Sequence, residues 1–353
     1  MAPAYISRPA IALAPHKVLT EEIVNDIKAH HPTHPRIRTI PRHITRSAVG
    51  TRYFSHPLHS PYVGGAADPT IGITERTAQA YADAVDMAEA AARQLLDDQG
   101  VAPEEVDVLI TSHSVSGGRL PGIDIPLADR LGLRPDVCRM PFSVVACAGG
   151  ALAMARTADM LAARPDATVL SVVSEPLSTT YSHADHEISH MIFKGLFGDA
   201  AAAFLGTSTR PTTPSLRIDA SFEYRLPTSA AAYFTRPDAA GVHFDSTAAS
   251  LTAVKECLPK LTEWVRDWKT DIPIIHTGSP GIITATAHAL GLDDQAARHS
   301  HNSLEQIGNV GGSAALDILA RTHDAPPADG ANVTVVAYGP GFYMAACRGV
   351  WCA

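Results

Sequence analysis

The sequence predicts an α/β protein built from two related, βαβ-rich halves, and three observations carry that reading. Short, nearly continuous apolar runs such as VDVLITS (106–112) and ATVLSVVSE (167–175) alternate with helical patterns. The same alternation returns in the second half, from residue 251 onward. The 353 residues suffice for one large core or two similar halves. Strands that are apolar throughout imply parallel sheets covered on both faces. The Pro- and Thr-rich stretch STRPTTPS (208–215) marks the meeting of the halves, dividing the chain into residues 1–208 and 209–353.

Each element follows from its own pattern. Two loop-rich stretches, 31–43 and 55–69, carry Pro and His without apolar periodicity. Residues 75–99 then read as a long amphipathic helix ending at Gly100, followed by the strand at 106–112 and a helix in LADRLGL (127–133). Val144–Ala146 reads as a short strand running into a helix over 148–163, and GDAAAAFL (198–205) as a strand despite its alanines. In the second half, 251–268, 280–290 and 311–321 read as helices, and 272–276 and 332–339 as strands.

Composition narrows the function. A net charge of −8 argues against general nucleic-acid binding, which draws on clustered Lys and Arg. No apolar run is long enough for a membrane span. The start, MAPAYISRPAIALAPHK, is interrupted by Arg8, Pro9 and Pro15 and is poor material for a signal peptide. Five cysteines (138, 147, 257, 347, 352) form no CxxC, and the odd count is poor for a disulfide framework. The expected compartment is a reducing cytoplasm.

The chemistry gathers at three turns. Cys147 follows Val144 and Val145 and precedes a small-residue helix; His276 ends an apolar run 129 residues later, and Asn309 lies 33 residues beyond that. A Cys/His/Asn set from separate strand-to-helix turns suits thiol-based acyl transfer. A free thiol has a pKa of about 8.5, and a helix N-terminus beside a protonated His276 would lower it. Gly149 and Gly150 leave room for a thioester and for backbone N–H groups around its oxyanion. Asn309 can polarise a thioester carbonyl but cannot act as a base. Taken singly, each has a plainer reading: a small buried thiol, an end-of-strand histidine, a turn asparagine.

Other candidates weigh less. His183, His186 and His190 could line one helix face as metal ligands, but no fourth ligand accompanies them, which favours a solvated or interface segment and no metal. Ser279 in HTGSPG sits in no GxSxG elbow. Arg38, Arg42 and Arg46 form a basic stripe after Pro41 starts a helix; it is either a charged surface face or a phosphate-holding patch.

Six motifs in order resemble the type III polyketide synthases, the chalcone-synthase-like branch of the thiolase fold. They are LPGIDIPLADRLGLRPDV (120–137), VACAGGA (145–151), LFGDAAAA (196–203), HTGSPGII (276–283), QIGNVGGSA (306–314) and AYGPGF (337–342). The resemblance runs from about Ile37 to the end. It implies a thiolase-like, five-layered α-β-α-β-α core. It makes Cys147 the acyl-accepting nucleophile, with His276 and Asn309 binding the malonyl thioester carbonyl and promoting decarboxylation. Phe197 and Phe244 become gatekeepers, and Arg42 and Arg46 hold CoA phosphates. Val115, Ser116, Leu120, Thr180 and Gly311 line the cavity, while Gly339, Pro340, Gly341 and Phe342 shape its floor. The implied activity is loading of an acyl-CoA starter, extension with malonyl-CoA or an alkylmalonyl-CoA, and closure to a pyrone or aromatic ring. A homodimer is implied, with the loop around Leu120 near the partner's cavity; no cofactor is. Departures from the family pattern are Ala146 where Gly is usual, and AYGPG for GFGPG. Two alternatives stand beside this reading. One is a single-condensation enzyme like ketoacyl-ACP synthase III, which usually reads HQAN where this chain has HTGS; the other is a non-catalytic thiolase-fold subunit.

Overall fold

The longest helix, Ile73–Gln99, shows how local sequence sets the architecture. Its start is closed by Glu75, whose carboxylate accepts the Gly72 N–H at 3.1 Å. It ends where Gly100 takes a left-handed conformation at φ 63°. Between them Ala80, Ala84, Ala88, Ala91 and Leu95 form one buried stripe. That stripe packs on the outer face of a sheet that includes Leu109, Leu170 and Val172. The structure, a computed structural model, describes residues 3–64, 71–114 and 120–353.

The main sheet follows the order Ile272–Ile275, Asn332–Gly339, Tyr343–Cys352, Ser215–Arg225, Ala4–Ile6, Asp199–Thr207, Val169–Pro176, Val108–His113, Cys138–Ser143. The N-terminal strand Ala4–Ile6 pairs with Asp199–Thr207 on one side and Ser215–Arg225 on the other, joining the strands on its two sides into one sheet. The helices Gly149–Ala163 and Ser313–Asp324 pack between the halves and against each other, touching strands of both. Ile73–Gln99 covers one outer face. Ser250–Trp264 covers the other, with Val254, Cys257 and Leu261 against Val336 and Met344. The layers therefore run α-β-α-β-α, as expected.

The sheets are mixed and not wholly parallel. Val108–His113 runs parallel to both its neighbours, and Ile272–Ile275 runs parallel to Asn332–Gly339. Asp199–Thr207 is antiparallel to Val169–Pro176, and Tyr343–Cys352 is antiparallel to both its neighbours. Cover on two faces is what makes these strands apolar, and it does so whichever way the neighbour runs.

A second difference lies at Cys147. The strand ends at Ser143, and Val144 and Ala146 take left-handed backbone at φ 58° and 44°, so Val144–Ala146 is a sharp turn. A 3-10 turn, Ala146–Ala148, then leads into Gly149–Ala163. The stretch 31–43 contains the start of a short helix, Ile40–Thr45, with Pro41 in its first turn. Among the described residues no helix is long and apolar enough to cross a membrane.

Candidate active site

Three turns meet because glycine lets the central helices touch end to end. A Cβ on Gly150 would come within 2.4 Å of the Gly312 carbonyl, and one on Gly312 within 3.0 Å of the Ala146 carbonyl and of Gly149 Cα. Any larger residue would push the Cys147 turn away from the Asn309 turn. With glycine there, Cys147 Sγ lies 3.7 Å from Asn309 Nδ2 and 3.8 Å from Oδ1.

Asn309 is held from both sides. Its N–H donates to the Leu196 carbonyl at 2.8 Å and its carbonyl accepts the Gly198 N–H at 3.0 Å. Its Oδ1 accepts the Gly311 N–H at 2.9 Å. The amide hydrogens on Nδ2 are thereby left for the sulfur and for a carbonyl beside it.

His276 continues the strand Ile272–Ile275 by one hydrogen bond, its N–H to the Val336 carbonyl at 3.0 Å. The Tyr338 N–H donates to Nδ1 at 3.4 Å, which puts the ring proton on Nε2. Gly278 makes room for that edge, since a Cβ there would sit 2.9 Å from Cε1 and Nε2.

Cys147, His276 and Asn309 line one cavity of about 320 Å³. Of the residues named from sequence, Thr180, Phe197, Phe244, Gly311, Gly339, Pro340, Gly341 and Phe342 line it too. Phe197 and Phe244 meet edge-to-face at 5.1 Å. Phe193, in the last turn of the helix Ile188–Leu196 that ends just before Phe197, completes the aromatic wall, 4.9 Å from Phe244; its signal was an aromatic residue four positions before Phe197. Leu120 does not line this cavity, because it stands on the surface at 93% exposure before the helix Asp124–Leu131 begins. Arg42 and Arg46 are exposed and outside the cavity lining. Val115 and Ser116 lie outside the described residues. His183, His186 and His190 do not share a helix face; only His190 is on the helix Ile188–Leu196, and it pairs with Asp245.

Electrostatics differ from the thiolate–imidazolium pair expected from sequence. Burial pushes the Cys147 thiol up to about 12, with the nearby Glu175 carboxylate acting in the same direction and Asn309 opposing it. Burial pulls His276 down to about 4, so its ring is neutral at pH 7. Glu175 itself went unnoticed in the sequence, although a carboxyl closing the buried run SVVSE is its own signal. It is fully buried, accepts Ser114 Oγ at 3.0 Å, and burial raises it to about 8. The site therefore holds a neutral thiol beside a neutral imidazole at pH 7. Alkylation of Cys147 by iodoacetamide is expected to climb steadily from pH 7 to pH 10. Glu175→Gln should accelerate it above about pH 8, where the native carboxylate is charged. A rate plateau reached below pH 7 would contradict this resting state.

The fold and the cavity define a class, the thiolase-like condensing enzymes. Residues 12–209 match the family model described as chalcone and stilbene synthases, N-terminal domain. The chain belongs to that family and is a type III polyketide synthase. The structure of germicidin synthase from Streptomyces coelicolor, a type III polyketide synthase, superposes with a TM-score of 0.92 at 31% identity, covering 99% of this chain and 100% of that one. A 1,3,6,8-tetrahydroxynaphthalene synthase from Streptomyces griseus is 28% identical over 99% of this chain and 93% of its own length. A phloroglucinol synthase from Pseudomonas fluorescens is 27% identical, covering 98% of each.

Proposed function

We propose that the protein loads an acyl-CoA starter onto Cys147, extends it with malonyl-CoA or an alkylmalonyl-CoA, and closes the product to a pyrone or aromatic ring. The observation that carries this is one thiol, one amide donor and one imidazole N–H donor facing a single, mostly apolar cavity. In loading, Cys147 sulfur attacks the thioester carbon, the bond to CoA sulfur breaks, and the thiol proton ends on the departing CoA. Malonyl-CoA then binds with its thioester oxygen at His276 Nε2–H and Asn309 Nδ2–H. Loss of CO2 leaves an enolate, and both donors act as its charge develops. The enolate carbon attacks the acyl carbon on Cys147, a C–C bond forms, and the cysteine leaves as thiolate. These steps draw on no metal, flavin or nicotinamide.

The ring-forming part of this reading draws support from relatives named for aromatic products, tetrahydroxynaphthalene and phloroglucinol. In this reading Phe197 and Phe244 gate the cavity, and Arg42 and Arg46, exposed beside the helix Ile188–Leu196 that leads to Phe197, hold CoA phosphates. Gly311 borders the cavity but cannot simply be enlarged. Its φ is 58°, and a Cβ there would come within 2.9 Å of Glu175. We further propose a cytoplasmic homodimer. The support is five free cysteines and the exposed Leu120 and Val144, apolar side chains that a partner would cover; sedimentation as a monomer would refute the dimer.

The deciding experiment is incubation of the protein with malonyl-CoA and acyl-CoAs of graded length, read by mass spectrometry. Products carrying several malonyl-derived units and closed to a ring are expected. A single β-ketoacyl product, made preferentially on acyl carrier protein, would overturn the reading.

A further inference from the structure

Outside the cavity, three histidines from three segments converge on one buried carboxylate, and one of them, His183, follows cavity-lining Thr180 by only three residues. Asp26 and His30 stand one turn apart on the helix Thr20–His30, which puts both on the same face. His59 comes from the stretch after Phe54, and His183 from the segment leading into the helix Ile188–Leu196, which carries Phe193 and ends just before Phe197. Asp26 Oδ1 is 3.2 Å from His30 Nδ1 and 3.5 Å from His59 Nδ1, and Oδ2 is 2.9 Å from His183 Nε2. Tyr181 Oη donates to Oδ2 at 2.5 Å. Gly64 makes space for the His183 ring, since a Cβ there would overlap it at 2.4 Å.

Hydrogen bonding alone does not account for this gathering. Asp26 is buried, and its Oδ1 takes no hydrogen bond although two imidazole nitrogens stand near it. His30 Nδ1 lies closer to the Asp26 carbonyl, at 3.0 Å. The rings of His30 and His183 stack at 3.6 Å, so protonating both would set like charges face to face. One carboxylate needs one imidazolium, and here it has three imidazoles.

We propose that Asp26, His30, His59 and His183 form a binding site for one divalent cation of borderline softness, with Zn²⁺ as the fitting ion. Imidazole nitrogens and carboxylate oxygens are both ligands that zinc takes, two imidazoles with one carboxylate being an established set to which a further ligand adds. For metal–ligand bonds of about 2.0–2.1 Å a tetrahedron has edges of about 3.3 Å. One donor atom each from Asp26, His30 and His183 already lies within 4.8 Å of the other two, and the exposed His59, its Nδ1 3.5 Å from Asp26 Oδ1, swings in to complete the four. Binding requires neutral rings and an ionised carboxylate, and the exposed His30 ring must turn out of its stack on His183 so that both rings aim a nitrogen at the same ion. His30 and His59 are surface residues whose rings can pivot toward a common point. The ion would tie the helix Thr20–His30 to the segment that feeds the aromatic wall.

The test uses untagged full-length protein, stripped with chelator and titrated with Co²⁺. One equivalent per chain is expected, with the strong visible bands of a tetrahedral site and none of the charge-transfer absorption that thiolate ligands give. Zn²⁺ should displace it and raise Tm. His30→Gln and His183→Gln should each abolish the tetrahedral spectrum, and His59→Gln should weaken binding by at least about tenfold. His34→Gln, outside the set, should change neither. If His183→Gln fails to fold, the surface variants at His30 and His59 decide. No bound equivalent, a thiolate spectrum, or unchanged binding in His30→Gln and His59→Gln would overturn the proposal.

Discussion

Cys147→Ala is expected to abolish starter loading, with no acyl adduct on the protein by mass spectrometry. Polyketide formation should fall by at least about a thousandfold, as when a nucleophile is removed from a catalytic set. The substitution is well suited to separate chemistry from folding. Cys147 is flanked by Ala146 and Ala148 in a short 3-10 turn, and among the described residues the one side chain its sulfur meets in hydrogen-bonding range is Asn309, through two long contacts. Alanine therefore removes the reacting atom and little else. The neighbouring backbone is strained, with Ala146 at φ 44° where the family pattern has Gly, a conformation that costs about 1–3 kcal/mol. That strain belongs to the turn and survives the change. Decarboxylation of malonyl-CoA should persist, because His276 and Asn309 remain in place. Retained polyketide synthesis would refute the nucleophile, and loss of decarboxylation together with loading would point to a collapsed turn.

The candidate site was legible in sequence where a side chain and its glycines must occur together. Cys147 is followed by Gly149 and Gly150, Asn309 by Gly311 and Gly312, and His276 by Gly278. The contacts give the reason: at Gly150, Gly312 and Gly278 a Cβ would strike the neighbouring turn or the His276 ring itself. Strand direction was not legible. Asp199–Thr207 reads as a strand from its own residues, but only its pairing with Val169–Pro176 makes it antiparallel. The protonation state was not legible either. Helix-entrance reasoning expects a lowered thiol pKa, whereas burial and Glu175, brought across from another strand, act the opposite way. Local chemistry fixes which groups are present, and the dielectric around them depends on residues distant in the chain.

Asn309→Ala should slow malonyl-CoA decarboxylation by about 10²–10³-fold, the usual effect of losing one oxyanion donor. Starter loading should change only a few-fold. The asymmetry follows from how the residue is held. Its backbone is fixed by bonds to Leu196 and Gly198 that the substitution does not touch. What disappears is the Nδ2 donor and the Oδ1 acceptor for the Gly311 N–H. The stranded N–H costs about 1–3 kcal/mol of stability, so Tm should fall somewhat even where loading survives. Asn309→Asp distinguishes the two losses, because a carboxylate still accepts from Gly311 but cannot donate. If the donor matters, Asn309→Asp regains stability and stays as slow as Asn309→Ala in decarboxylation, since its negative charge opposes the developing enolate. Recovery of decarboxylation in Asn309→Asp, or equal losses in loading and decarboxylation in Asn309→Ala, would mean that Asn309 only shapes the turn beside Cys147.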